Sequence, residues 1–346
     1  ADKIAHLKVR ANADSGSDAA RARALGATGI GLCRTEHMFF QPEALRAIRE
    51  MIVAEDDRSR QRALARVLPI QRKEFEEIFE AMDGLPVTVR LLDPPLHEFL
   101  PTSDADIAVV ARDLGVRTEL LQERLRQLHE ANPMMGHRGC RVGITTPEVV
   151  RTQVRAIFEA AVAVKRKGVD VQVEVMVPLV SIPIELEITR ALIVEVAETI
   201  MAEQGVNIRY LVGTMVELPR ACLLAAEIAR HADFFSFGTN DLTQMTYGFS
   251  RDDMGSFLPA YLQAGVVKDS PLAHFDVEGV GQLVEMGTKR GRATSPRLKV
   301  GVCGEHGGDP RGIGFFHKVG LDYVSCSPFR VPVARLAAAH AAMGIL

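Results

Sequence analysis

Cysteine is scarce: five residues in a chain of 346, with no CxxC pair among them. That excludes a disulfide-stapled secreted fold and a structural zinc site. The expectation is free thiols in a reducing, cytoplasmic setting. No apolar run reaches the roughly 18 residues of a membrane-spanning helix. The opening stretch ADKIAHLKVR carries charge where a signal peptide would be apolar. Basic excess is also missing, with 41 Lys and Arg against 44 Asp and Glu and a formal net charge of −3. That balance argues against a nucleic-acid partner, and no acidic tail is present. No GxGxxG opens a helix after the first strand candidate, so an open dinucleotide-binding sheet lacks its signature. Internal repeats, low-complexity tracts and convincing linkers are absent too. One domain spanning 1–346 is expected. The chain starts at Ala1 rather than Met, and the expectation is a processed or excised piece of a longer protein.

The hydrophobic content is 47%, enough for a large core. Short β-rich runs alternate with helical stretches nearly end to end. The strand candidates are LKVRAN (7–12), GIGLCR (29–34), VTVRLL (87–92) and VQVEVMV (171–177), followed by RYLVGTMVE (209–217), FFSFGTN (234–240), LKVGVCG (298–304) and YVSCSP (323–328). Most are continuous apolar runs, the pattern of parallel strands covered on both faces. The spacing predicts a helix opening at Ser17-Asp18 and stopping at Gly26, and another over 61–82 that a proline kinks or splits. Two helices broken near Gly115 are expected in 106–132, and long amphipathic helices over 147–168 and 184–205. Eight strands alternating with helices favour a closed (β/α)8 TIM-type barrel, with extra helical insertions after the second and third strands.

Such a barrel collects its chemistry where the strands end. Glu217 and Asp241 follow consecutive strands, roughly 4.8 Å apart, so their carboxylates can converge. Two hard oxygens completed by water and substrate suit Mg²⁺; the plainer reading is helix caps or surface ion pairs. Arg34, Arg90 and Arg138 each sit beside an apolar run. Three guanidiniums at one mouth would clamp a small polyanion, or they pair structurally with Glu36, Asp93 or Glu98. Gly238-Thr239-Asn240 exposes backbone N–H groups ahead of a helix and can hold an anion. Arg251 adds a positive charge or pairs with Asp252 or Asp253. Cys303 closes the run KVGVC before the glycine-rich turn GEHGG. A buried thiol is usually a small hydrophobe, the reading taken for Cys33, Cys140, Cys222 and Cys326. Flexible glycines beside Cys303 would let a ligand approach, and a thiol can deliver a proton to an enolate carbon. His306 orients that loop or tunes Cys303; the plainer reading is a hydrogen-bonded loop residue.

Taken together, GIGLCRTEHMFF, LLDPPLHEFLP, GHRGCRVGI, GTMVELPRA, FFSFGTNDLTQMTYGFSRDD, VGVCGEHGGDP and YVSCSPFRVPVARLAAA closely resemble the C-terminal phosphoenolpyruvate/pyruvate-binding domain of the pyruvate, phosphate dikinase family of PEP-utilising enzymes. The resemblance runs from about Val9 to Ala342. It implies a (β/α)8 barrel that forms a homodimer, with Mg²⁺ on Glu217 and Asp241. It implies Arg34, Arg90 and Arg138 on the phosphoryl and carboxylate groups of phosphoenolpyruvate or pyruvate. Glu217, Gly238, Thr239, Asn240 and Asp241 would line the substrate site, and Cys303 would be the proton donor. The activity implied is phosphoryl transfer between a phosphohistidine and the pyruvate enolate. Nothing here resembles the family's ATP-grasp domain or its swivelling phosphohistidine domain, so the barrel should bind pyruvate, phosphoenolpyruvate or oxalate without turning over ATP. A Mg²⁺-dependent pyruvate aldolase or lyase barrel, or a non-catalytic phosphoenolpyruvate-sensing dimerisation module, are the rival readings.

Overall fold

In the computed structural model, which describes residues 1–346, each of the eight apolar runs forms one short strand. They are β1 (Lys8–Asn12), β2 (Ile30–Arg34), β3 (Pro86–Arg90), β4 (Gln172–Val177), β5 (Tyr210–Val216), β6 (Phe234–Gly238), β7 (Lys299–Cys303) and β8 (Tyr323–Cys326). All neighbours pair in parallel, and β8 returns to β1 to close the barrel. Helices on the outside make this a (β/α)8 barrel with helical insertions.

Side chains alternate across a strand with period two. That alternation divides the core. Val87, Val89, Val173, Val175, Phe235, Phe237, Val300 and Val302 face the helices and join a buried cluster of 65 residues. The opposite parity fills the barrel. There Leu32, Met176, Met215, Phe234 and Cys303 form a separate interior cluster of five. Below them the interior turns polar: Arg10 Nη1 lies 2.7 Å from Glu174 Oε2, Lys299 Nζ 2.6 Å from Glu174 Oε1, and the Arg10 guanidinium stacks 4.0 Å from the centre of the Tyr323 ring. Burial pushes the Glu174 carboxyl up, but Arg10 and Lys299 outweigh it and hold it at about 2.

The chain after β2 and β3 builds the predicted insertions. Helices Pro42–Val53, Asp57–Ala81, Asp104–Leu114 and Thr118–Leu128 share their own cluster of 17 buried residues. Helices end at Gly115 and Gly205 as expected, both left-handed. Three local expectations change. The first helix is Gly16–Ala24, capped by Ser15, whose side chain accepts from the Asp18 N–H; Ser17 is inside it. Helix Asp57–Ala81 runs through Pro69 without a break. Pro69 and Ala65, whose carbonyl loses its donor there, are both exposed, so water can take the place of the missing bond. A third excursion, between helices Thr239–Tyr247 and Val280–Thr294, follows β6 and includes the short helix Leu258–Gln263.

Candidate active site

The register places the ends of β5 and β6 side by side, with Val216 opposite Phe237. Glu217 therefore comes next to Gly238, and Asp241 lies in the first turn of helix Thr239–Tyr247. No side chain caps that helix, which leaves its first N–H groups at the barrel mouth. A Cβ on Gly238 would lie 2.9 Å from both Glu217 Cβ and Glu217 Oε2, so only glycine leaves room for this carboxylate. Glu217 Oε1 accepts from the Leu179 N–H at 2.7 Å. Leu179 has a left-handed backbone, φ 60°, the only non-glycine residue that does. Such strain, about 1–3 kcal/mol, gathers where function fixes a backbone.

Glu217 is buried, and its pKa is pushed well up, first by burial and then by the carboxylates of Asp241 and Asp93. An added cation would relieve that repulsion. No cluster of three or more His, Cys, Asp and Glu side chains is arranged to hold a metal anywhere in the chain. A pair of carboxylates is nonetheless what Mg²⁺ takes from a protein when water and substrate complete its shell, so Glu217 and Asp241 fit that ion.

The three arginines are engaged by carboxylates. Arg90 bonds Glu36 and lies 2.8 Å from Asp93 Oδ2. Arg138 Nη2 bridges Asp93 Oδ2 at 2.6 Å and Asp241 Oδ2 at 3.1 Å. Arg34 Nη1 lies 3.1 Å from Asp14 Oδ2. Both readings of these residues thus meet in one place, since all three guanidiniums also line the inner cavity. The Nε atoms of Arg90 and Arg138 are buried with no acceptor, donors that a ligand oxygen would satisfy.

Cys303 is the one cysteine in the interior cluster; the other four belong to the helix-facing core. Its parity with Lys299 and Gly301 turns it inward. Burial pushes the thiol up to about 11, against a hydrogen bond from Ser236 and the charge of Arg90 that favour the thiolate. Ser236 Oγ lies 3.4 Å from Cys303 Sγ. Gly304 follows with φ 112°, a conformation that frees the chain to turn away at once. His306 makes no hydrogen bond to Cys303. Its Nε2 is 3.1 Å from the Pro271 carbonyl and its Nδ1 is 2.9 Å from Thr239 Oγ1. A carbonyl only accepts, so Nε2 carries the proton and Nδ1 accepts from Thr239. Arg251 pairs with Glu305 at 3.2 Å rather than with Asp252 or Asp253.

Arg34, Arg90, Arg138, Glu217, Gly238, Asn240, Asp241 and Cys303 line one cavity of about 270 Å³; Thr239 is buried behind it. This volume falls below the roughly 300–1,000 Å³ of drug-sized ligand pockets. A wider cleft of about 810 Å³ shares Asp93, Arg138 and Asp241 with it and leads outward past Glu98 and Asp252. Sequence reading missed Asp14 and Ser236 as parts of the site, and it had Glu36 and Asp93 only as ion-pair partners for the arginines, which they are. Ser236 left a signal: it is the lone hydroxyl in Phe-Phe-Ser-Phe-Gly, with the parity of Gly238.

No helix is long and apolar enough to cross a membrane. The family model described as "PEP-utilising enzyme, PEP-binding domain" matches residues 1–343. Pyruvate, phosphate dikinase 1 of Arabidopsis thaliana, a chloroplastic protein by its name, is 58% identical over 98% of this chain and 36% of its own length. Pyruvate, phosphate dikinase of Rhizobium meliloti is 57% identical, covering 99% of this chain and 38% of its own. That of Clostridium symbiosum is 53% identical, covering 99% and 39%. The chain thus spans a little over a third of the length of these relatives. A match of this extent to the family model makes the chain a member of the PEP-utilising enzymes, carrying their PEP-binding domain.

Proposed function

We propose that this barrel is the phosphoenolpyruvate/pyruvate half-site of a pyruvate, phosphate dikinase, working as one domain over 1–346. It would exchange a phosphoryl group with a phosphohistidine presented by another domain of the parent enzyme, and act as a homodimer. The carrying observation is that the Cys303 thiol, the Glu217–Asp241 pair and three arginines line one small cavity.

Arg34, Arg90 and Arg138 bind the phosphoryl and carboxylate oxygens, and the N–H groups ahead of Asn240 add donors at the helix start. Held by Glu217 and Asp241, Mg²⁺ would supply positive charge for the oxygen that becomes anionic in the enolate. In the pyruvate-forming direction, the bond between the enol oxygen and phosphorus breaks as a histidine nitrogen takes the phosphoryl group. The Cys303 S–H then gives its proton to the methylene carbon, leaving a thiolate. A thiol pKa near 11 keeps that proton in place at neutral pH. The Ser236 hydroxyl and Arg90 stabilise the thiolate left behind. In the opposite direction the thiolate takes a methyl proton, and the enolate oxygen attacks phosphohistidine in line. The wider cleft gives the partner domain its approach.

The test is exchange of the methyl protons of pyruvate in heavy water with Mg²⁺. Cys303→Ala should slow exchange by about 10²–10⁴-fold and leave oxalate binding nearly intact. Wild-type exchange in that variant would remove Cys303 from the chemistry.

A further inference from the structure

Arg34 differs from its two partners in how it is held. Arg90 and Arg138 each meet two carboxylates, whereas the Arg34 guanidinium has Asp14 alone. Asp14 follows β1 and does not line the inner cavity. Its Oδ1 accepts from the Arg34 backbone N–H at 2.7 Å, and its Oδ2 accepts from Arg34 Nη1 at 3.1 Å. The same Oδ2 lies 2.8 Å from His37 Nδ1. One carboxylate therefore fixes the end of β2, aims its guanidinium and is shared with an imidazole.

We propose that Asp14 is the positioning residue of Arg34, and that His37 sets, through the same carboxylate, how strongly Arg34 attracts an anion. This rests on the reading of Arg34 as a ligand-binding residue. A carboxylate only accepts, so His37 Nδ1 carries a proton in both charge states and the titrating proton sits on Nε2. With neutral His37, Asp14 cancels Arg34 and the trio has no net charge. With protonated His37 it carries one positive charge beside the phosphoryl group. The Asp14 hydrogen bond, against some burial, raises the His37 pKa above its ordinary 6.5. The switch therefore lies above the ordinary histidine value, with tighter anion binding on its acid side.

The other charged groups around His37 do not supply this coupling. Glu36, on its own segment, is bonded to Arg90. The wide cleft that His37 lines is also lined by Asp93, Glu98, Asp241, Asp252 and Asp253 together with Arg138 and Arg251. Arg138 and Arg251 already hold acidic partners. Asp14 alone contacts both His37 and Arg34.

The test has two arms on the 346-residue chain. Proton NMR of the His37 ring should give a pKa above the ordinary value that drops back in Asp14→Asn; an unchanged value overturns the proposal whether or not any ligand binds. The second arm measures phosphoenolpyruvate affinity from about pH 6 to 8.5. Positioning and simple charge predict opposite signs for Asp14→Asn. Loss of aim weakens binding, here by about tenfold, whereas loss of a negative charge alone would tighten it. Unchanged or tighter binding overturns the positioning role. For His37→Gln, which can still donate to Asp14, wild type should bind severalfold tighter at the acid end and equally at the alkaline end. Because the ligand's own titration cancels in that ratio, a ratio that does not vary with pH overturns the His37 role. A wild-type chain that binds no phosphoenolpyruvate at any pH would sink the proposed function instead, and the NMR arm would still decide the Asp14–His37 contact.

Discussion

Gly238→Ala puts a single methyl group where the geometry is least forgiving. The backbone there, φ −86°, suits alanine, so the cost is steric. The new Cβ would meet Met215 Sδ at 2.8 Å and Glu217 Cβ and Oε2 at 2.9 Å. Carbon contacts are comfortable at about 3.5–4.0 Å, so each neighbour must retreat by about half an ångström or more. Met215 can rotate its thioether away. Glu217 Cβ cannot follow without moving the end of β5, which the Val216–Phe237 register holds. The carboxylate must swing instead, off the Leu179 N–H. Overpacking of this kind costs about 1–3 kcal/mol, and a stranded buried N–H adds about 1–3 kcal/mol if nothing replaces its partner. Urea unfolding should register the first term as a lower midpoint with an unchanged slope. Calorimetry of oxalate with and without Mg²⁺ should show the metal-dependent gain in affinity reduced by at least about tenfold. A folded variant that keeps the full gain would show that Glu217 does not need its present position, and the metal assignment would lose its geometric basis.

Asp241→Ala removes the second carboxylate and one of the two partners of Arg138; oxalate should then bind equally with and without Mg²⁺, and calorimetry checks this. At the barrel floor, Glu174→Gln leaves Arg10 and Lys299 facing no charge. Breaking a buried pair from one side costs about 3–5 kcal/mol, measurable as a loss of unfolding free energy with no change in oxalate affinity. The same carboxylate predicts an acid limit. Its pKa is depressed from 4.5 to about 2 on folding, so its contribution is complete above pH 4.5 and is lost as pH falls towards 2. Glu174→Gln should flatten stability across that window; an identical pH profile in both proteins would refute the assignment.

The barrel was legible because its strands are short apolar runs separated by helices with glycine stops, a pattern that needs no long-range information. Local chemistry also exposed the strand-end residues, since a charged side chain closing an apolar run must meet a partner or a ligand. What stayed hidden depends on contacts between distant positions. Asp14 is twenty residues from Arg34, a spacing that marks no pair, and nothing in the sequence says which arginine Glu36 meets, fifty-four residues on at Arg90. Arg251 stood between a free positive charge and a pair with Asp252 or Asp253, and the fold brings Glu305 to it instead. Cys303 is the instructive case. Composition could not separate it from four other buried thiols, but parity within its own strand does. Lys299, Gly301 and Cys303 share the interior face, and a thiol at the top of that face opens onto the mouth rather than the helix layer.

The pairing of arginines with carboxylates follows from where they sit. A guanidinium at a buried mouth is expensive unless compensated, so Arg90 and Arg138 hold Glu36, Asp93 and Asp241 until something better arrives. Around the inner cavity, Arg34, Arg90, Arg138 and Arg251 face Asp93, Glu217 and Asp241. Asp14, Glu36 and Glu305 stand behind Arg34, Arg90 and Arg251, so the mouth with its partners holds no positive surplus when every group is ionised. A phospho-carboxylate alone would add about three negative charges there, an imbalance that low polarity magnifies, whereas with a divalent cation it adds roughly one. On the proposed reading, ligand and cation would therefore favour each other's binding through the charge of the cavity as a whole. The carboxylates that seemed to compete with substrate for the arginines make that mutual dependence possible, because they keep the empty site compact and uncharged enough to fold.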